Sequence, residues 1–379
     1  MNKKMIGLDV GTSFLIASTK KNNKEVYNIQ RDCYFIIPEG NKRAIKIAES
    51  SGGNFIYNKD RGEYYLIGQD AINFANLLST FLDKDEVDRN AEIQLKRPMS
   101  QGVLNPKDKL GAQMLEILLE GVIEGVVDDV LATGEGVVFF SVPADPVDGD
   151  YNTIFHSSRI EQKLEALGYE PHSLNEGLAV IYSEAPSVIV DGEEIPFSGL
   201  GMSFGGGMIN VCFAYRGMSL LEYSTSRAGD WIDEQVAKVT NTPISVITKY
   251  KEDNLDLATE DLASNEMLNA LHIFYDNLIK YVLHHLKREL SGMDERISYE
   301  VPIVVAGGTS RPKGFVELFK TRAEKEDLPF TIKEIIIPKE PSYAVSKGCL
   351  VAALAEGEGE EEEEEEIVNK PSIDEEDSS

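Results

Sequence analysis

The sequence predicts an α/β chain folded as two related lobes on either side of a cleft, and three observations predict it. Its 379 residues suffice for two sizeable cores. A strand, glycine-tipped turn and returning strand occur near the start of the chain and again near its middle. Around these hairpins, short apolar strands alternate with helical stretches, the order that builds a parallel or mixed sheet covered by helices.

In chain order, Met5–Asp9 is an apolar run, Gly11-Thr12-Ser13 a tight turn and Phe14–Thr19 the returning strand. Asp108–Val127 places Leu110, Met114, Leu115, Leu118, Leu119, Val122 and Ile123 at helical spacing, a core-facing stripe. Gly136–Val142 is a continuous apolar run ending at Pro143, as in a buried central strand. Ser157–Gly168 reads as a helix stopped by glycine. The second hairpin comprises Ser198–Phe204, Gly205-Gly206-Gly207 and Met208–Tyr215, and Arg216-Gly217 turns it into a third strand, Ser219–Ser224. Asp230–Thr240 and Leu268–Leu290 read as helices, Val301–Ala306 as a buried strand closed by Gly307-Gly308, and Ser342–Ala355 as a helix of small residues. From Glu356 the periodicity vanishes. A glutamate run buries too little apolar area to offset its ordering entropy, so residues 356–379 are expected to form a disordered acidic tail.

Hydrophobic residues make up 42% and charged residues 27%, which excludes fibrous and wholly disordered classes. The net charge of −28 is uneven: residues 356–379 hold thirteen acids and one lysine, a charge of −12, leaving −16 for the rest. Phosphate backbones and anionic lipid need clustered Lys and Arg, so nucleic acid and anionic membrane are poor partners. The tail either solubilises the chain or recruits a basic partner. Cys33, Cys212 and Cys349 are widely spaced with no CxxC pair, so neither a disulfide framework nor a zinc site is indicated, and a reducing, cytoplasmic setting fits. MNKKMIGLDV enters a strand directly, no membrane anchor is visible, and no stretch is long and apolar enough for a bilayer.

Gly7-Leu8-Asp9-Val10-Gly11-Thr12-Ser13 is a candidate phosphate loop. A glycine tip admits backbone N–H groups to phosphate oxygens, Thr12 and Ser13 add hydroxyls, and Asp9 offers the carboxylate oxygen that a hard cation prefers. Alone it reads equally as a plain hairpin turn. The second cluster, Ser203-Phe204-Gly205-Gly206-Gly207-Met208, supplies a partner that grips a triphosphate from the other side. His284-His285 lie about 100° apart on one helix and cannot chelate from one face.

Together these loops resemble those of the actin, heat-shock chaperone and sugar-kinase superfamily. Arg97-Pro98-Met99-Ser100-Gln101-Gly102-Val103 and the helix after it are similar to the RPxxxGV segment of MreB-type actins. Val142-Pro143-Ala144, Leu174–Val180, Arg227–Asp233, Val304–Arg311 and Pro341–Gly348 follow in family order. The resemblance implies an actin-like ATPase fold: two duplicated α/β domains of RNase H type flanking a nucleotide cleft, each with a smaller outer subdomain. It divides the chain into domain I at 1–150 (outer subdomain about 33–95, with helix 342–355 returning to it) and domain II at 151–341 (outer subdomain about 228–300), followed by the tail. It also implies ATP and Mg²⁺ as cofactors. Asp9 would serve the metal; Gly11, Thr12, Ser13, Ser203, Gly205, Gly206, Gly207, Gly229, Asp230, Gly307, Gly308 and Thr309 would hold the nucleotide, with base and ribose lying on the bare backbone of Gly307-Gly308.

Two departures from the family pattern bear on chemistry. Ser203 stands where an acid is usual, and Met208 or Asn210 where a hydroxyl or acid is usual, so the site loses a carboxylate and slow hydrolysis is expected. The water-orienting Gln or Glu should open the helix after Pro143, where the register points to His156, or to Asp150 if Asp145–Asn152 is an insertion. Glu176 is a further candidate, to hold a metal-bound water; a helix-start charge is its plain structural reading. The function implied is a cytoskeletal protein that polymerises with ATP, its partner being itself. The alternatives are a chaperone-type ATPase, a sugar or acetate kinase, or a non-filamentous nucleotide-binding scaffold; no peptide-binding domain or kinase base is visible to favour the middle two.

Overall fold

A computed structural model describes residues 3–368 except 51, 54, 82–94, 128–135, 185–186, 191–192, 260–261, 263–264 and 292–299. The chain opens with three strands, β1 (Lys4–Val10), β2 (Phe14–Lys21) and β3 (Lys24–Arg31). It then enters a small unit of β4 (Tyr34–Pro38), α1 (Lys42–Ser50), β5 (Ile56–Asn58), β6 (Glu63–Ile67), α2 (Gly68–Phe81) and β7 (Leu95–Lys96). A tight ribbon, β8 (Met99–Ser100) and β9 (Val103–Leu104), leads to α3 (Gly111–Glu124), β10 (Gly136–Val142), α4 (Thr153–Ala166), β11 (Glu170–Asn175) and α5 (Glu176–Glu184). A second ribbon, β12 (Ser187–Val190) and β13 (Glu193–Pro196), precedes β14 (Gly199–Phe204), β15 (Ile209–Tyr215) and β16 (Met218–Thr225). The helices α6 (Gly229–Thr240), α7 (Ile244–Asn254) and α8 (Glu266–Leu290) follow, then β17 (Glu300–Ala306), α9 (Phe315–Ala323), β18 (Thr331–Ile336) and α10 (Ala344–Val368).

The duplication read from the hairpins extends to whole sheets. The first is ordered β11-β10-β1-β2-β3 and the second β18-β17-β14-β15-β16. In each, the central strand pairs parallel with one neighbour and antiparallel with its hairpin partner. Strand alternation then sorts the residues by face. Ile6, Leu8 and Val10 pack under α3 and α4, while Leu200, Met202 and Phe204 pack under α6, α8 and α9. The opposite faces carry Gly7 and Asp9 in one sheet, Gly201 and Ser203 in the other. A third cluster, from α5, α10 and the inner face of the second sheet, fills the layer between the sheets. Glycine is needed where helix and strand backbones touch: a Cβ on Gly7 would strike Ser346 and Leu350 of α10, and one on Gly201 would strike Gly177 of α5.

Three boundaries differ from the sequence reading. The first sheet takes its outermost strand from β11, so a division at residue 150 cuts the crossover that a parallel pair requires, and the sheet's membership ends at Asn175. Helix α4 starts at Thr153 rather than Ser157 because Asn152 caps it, accepting from the Phe155 N–H at 2.7 Å. Helix α10 continues through Val368 into the acidic run expected to be disordered, since glutamate is a good helix former even in a like-charged run; residues 369–379 lie outside those described. The small unit from β4 to β7 is a four-stranded sheet ordered β5-β6-β4-β7 with its own small core beneath α1 and α2; residues 82–94 of the expected outer unit lie outside those described.

Candidate functional site

Both hairpin tips reach one cleft of about 460 Å³, a volume typical of a small-molecule site. In the first, the Gly11 N–H donates to the Phe14 carbonyl at 3.0 Å, closing the turn and aiming Thr12 and Ser13 across the cleft. In the second, the Gly205 N–H donates to Met208 O at 3.0 Å. The tips nearly touch: a Cβ on Gly206 would strike the Ser13 hydroxyl, and one on Gly207 the Thr12 hydroxyl. The β8–β9 turn wedges beside them. Its central residues Gln101 and Gly102 both have positive φ (51° and 77°), and the Gly102 N–H donates to Thr12 Oγ1 at 3.0 Å. Thr12 is therefore buried and engaged, and Ser13 is the freer hydroxyl.

The second tip is tied down from two further sides. Gly229 N–H donates to Gly205 O at 3.2 Å and Asp230 N–H to Gly206 O at 2.8 Å, docking the start of α6 on the loop. Thr309 Oγ1 donates to Gly205 O at 2.7 Å. Gly307 has φ +96°, and a Cβ there would strike the Phe204 carbonyl, so the strand-ending turn requires glycine. Gly308 faces open space with nothing within 4 Å of where its Cβ would stand.

At the floor of the cleft, Asp9 and Glu176 lie together. Ser141 donates to Asp9 Oδ1 at 3.3 Å, and Ser203 donates to Glu176 Oε2 at 3.2 Å. Burial pushes the Asp9 carboxyl well up, and the neighbouring Glu176 charge adds to this. Burial likewise pushes Glu176 up to about 7, against the hydrogen bonds from Ser203 and Asn210. Two desolvated carboxylates facing each other are a receptor for positive charge. Among the described residues no group of three or more His, Cys, Asp or Glu could hold a metal. A magnesium ion that keeps its waters needs only one or two carboxylates beside substrate phosphates, so this donor set fits one.

Of the residues expected at the site, Asp9, Gly11, Thr12, Ser13, Glu176, Ser203, Gly205, Gly206, Gly207, Asp230, Gly307, Gly308 and Thr309 all line this cleft. Gly229 stands behind the lining, its carbonyl accepting from Lys251 Nζ at 2.8 Å. His156 and Asp150 are not brought there. His156 is 0% exposed, with neither ring nitrogen hydrogen-bonded, and burial lowers its pKa to about 4. Asp150 is exposed, while its neighbour Asp148 fixes the loop by accepting from the Ser226 N–H at 2.8 Å and the Tyr281 hydroxyl at 2.7 Å. None of the residues Asn152–His156 at the start of α4 lines the cleft, and Ile154 and Phe155 there are exposed.

Sequence reasoning missed the charges that join the lobes. Arg31, which lies 4.0 Å over the Phe14 ring, pairs with both carboxylate oxygens of Glu252 at 3.2 and 2.9 Å. Arg97 pairs with Asp230 at 2.8 Å. Within the second lobe, Lys251, also lining the cleft, pairs with buried Asp233 at 2.8 Å. Arg97 lay in a quoted motif, but nothing in its spacing pointed to a partner in the other half.

The model of the Volactin family matches residues 4–353. The chain belongs to the Volactin family. Its fold is the actin-like ATPase fold of the MreB and MamK kind. The chain is similar to MreB5 of Spiroplasma citri bound to ADP, with a TM-score of 0.64 and 14% identity over 95% of this chain and 98% of that one. The same protein bound to AMPPNP matches with a TM-score of 0.64 and 14% identity over 96% and 99%. The MamK double helical filament matches with a TM-score of 0.61 and 14% identity over 94% and 99%. No curated protein matches the chain by sequence. No helix among the described residues is long and apolar enough to cross a membrane.

Proposed function

We propose that this Volactin-family chain is a cytoplasmic, actin-like cytoskeletal ATPase that binds ATP with magnesium in the interlobe cleft, assembles with copies of itself and hydrolyses ATP slowly. One observation carries the reading: the two glycine-tipped turns converge over paired carboxylates, with Gly307-Gly308 forming the bare wall beside them. In this arrangement the backbone N–H groups of Thr12 and Ser13 and of Gly206 and Gly207, with the Ser13 hydroxyl, hold the triphosphate from two sides. Asp9 and Glu176 would hold the ion, which when bound offsets charge on the phosphate oxygens. The neighbouring likeness to MreB5 with ADP and AMPPNP, and to the MamK filament, supports nucleotide binding and self-association for this chain.

Glu176 is the only side chain expected for catalysis that reaches the cleft. With its carboxyl titrating near neutrality, it can orient a water and accept its proton. None of the residues Asn152–His156 lines the cleft to give that water a second polar partner, so slow turnover is expected. That same feature favours a second reading, a non-filamentous nucleotide-binding scaffold. Sedimentation and light scattering with ATP and magnesium test assembly, and phosphate release tests turnover. Nucleotide binding with neither pelleting nor phosphate release selects the scaffold; no nucleotide binding overturns both.

A further inference from the structure

A polar row crosses the second sheet. Ser203 of β14, Asn210 of β15 and Ser224 of β16 stand opposite one another in register, each 2% exposed or less. Polar side chains buried on three adjacent strands displace apolar packing, and they persist where each has a hydrogen-bond partner. Ser203 serves the cleft by donating to Glu176. Asn210 and Ser224 do not line the cleft, so nucleotide contact does not explain them.

Their partner is a segment arriving from the first lobe. The Ala144 N–H donates to Asn210 Oδ1 at 3.0 Å, and Ser224 Oγ donates to the Ala144 carbonyl at 2.8 Å. From there the chain runs on beside β16. The Ser224 N–H donates to Asp145 O at 3.0 Å, the Val147 N–H donates to Ser224 O at 2.9 Å, and Pro146 bridges Ser224 in parallel. Asp148 ends this strap. It accepts from the Ser226 N–H at 2.8 Å, the Ser226 hydroxyl at 3.1 Å and the Tyr281 hydroxyl of α8 at 2.7 Å. The Arg227 guanidinium lies 4.2 Å over the Tyr281 ring and holds it in place.

The remaining donor of Asn210 points the other way. Its buried Nδ2 is turned to Glu176 and has no other partner among the described residues. A leucine at this position would suit the sheet and would orphan the Ala144 N–H. Asparagine instead joins Glu176 to Ala144 with its two ends, and the strap from Ala144 to Asp148 carries that attachment to a helix remote from the nucleotide.

We infer that Asn210 and Asp148 are positioning residues for Glu176: Asn210 holds its carboxylate against Ala144, and Asp148 holds the strap to α8. The direction in which Glu176 presents its oxygens is thereby set from outside the cleft. The inference rests on the role proposed above for Glu176.

Turnover and structure test it on the full chain. Asp148→Ala should lower kcat about tenfold, the scale of a small misplacement of a reacting group, with KM unchanged within about twofold. Asp148→Asn keeps an acceptor and should restore most of that loss. Tyr281→Phe removes one hydroxyl, keeps the ring beneath Arg227, and should lower kcat about threefold. In a Glu176→Gln background, Asp148→Ala and Asn210→Ala should each cost less than about twofold, because the group they position is gone. An undiminished loss in that background, or unchanged kcat in Asp148→Ala and Tyr281→Phe, overturns the inference and leaves the ATPase reading standing. If wild type releases no phosphate, the ATPase reading fails and crystal structures of the nucleotide-free variants decide the inference. Glu176 withdrawn from Ser203 Oγ in Asp148→Ala or Asn210→Ala supports it; Glu176 in its wild-type position in both overturns it.

Discussion

His156 is a neutral, buried imidazole, and its environment makes a pH prediction whose sign is fixed. Its pKa falls from 6.5 to about 4 on folding, so the unfolded chain takes up a proton first as pH drops. The stability it contributes is complete above pH 6.5 and is lost as pH falls through 6.5 toward 4, on the order of 3 kcal/mol from a shift of about two and a half units. Urea unfolding of wild type and His156→Leu at pH 7.5 and 4.5 should show that extra acid sensitivity in wild type alone. ATP turnover of His156→Leu should match wild type within about twofold, because the side chain lies outside the cleft. Glu176→Gln should lower turnover by about 10²-fold, the low end for loss of a positioned acid–base group, while leaving nucleotide binding measurable by fluorescence. The place of Asp9 in the cleft was legible because a second glycine-tipped turn accompanied the first, which a lone hairpin would not have shown. His156 was misplaced because counting along the chain ignores the helix face. His156, Ile160 and Leu164 recur at four-residue spacing, a stripe the sequence displayed and that marks the core side.

At the scale of elements, the turns are the parts that tolerate least change. Gly307→Ala adds a Cβ at φ +96° against the Phe204 carbonyl, and should destabilise the chain by at least about 1–3 kcal/mol in urea unfolding, with ATP affinity falling alongside. The cross-lobe pairs should affect kinetics more than stability. Their side chains are about a quarter to a third exposed, so each is worth at most about 1 kcal/mol. Arg97→Ala should speed release of a fluorescent ATP analogue by up to about fivefold in stopped flow, and added salt should narrow the gap from wild type. The hairpins, β10 and α8 could be read from the sequence because period and turn chemistry are local. The pairing of Arg31 with Glu252 could not, since the partners are brought together only when α7 folds back over the cleft. The placement of β11 in the first sheet was hidden for a similar reason: Glu170–Asn175 is polar at four of its six positions and gives no apolar run.

For the molecule as a whole, ligand binding should couple the lobes into one stability. ATP with magnesium at about one hundred times its dissociation constant should add about 2.7 kcal/mol, read as a rise in the thermal midpoint that Asp9→Asn reduces. The fold was visible in the sequence because the duplication repeats itself in glycines as well as strands, whereas the interface chemistry was not, because nothing in one chain announces how two copies meet. The crossing of α5 and α10 has a mechanical consequence. Gly348 seats α10 on the backbone of Ala179 with no side chain between them, and both helices sit in the layer the sheets share. A crossing that tight behaves as a fulcrum. If the halves of the proposed ATPase rock about it, Glu176, three residues from Ala179 on α5, is expected to travel little and the Arg97–Asp230 pair to sweep a longer arc. On that expectation the carboxylate floor keeps its geometry while the rim unfastens, so that nucleotide exchange in the proposed ATPase would leave the place assigned to the chemistry intact.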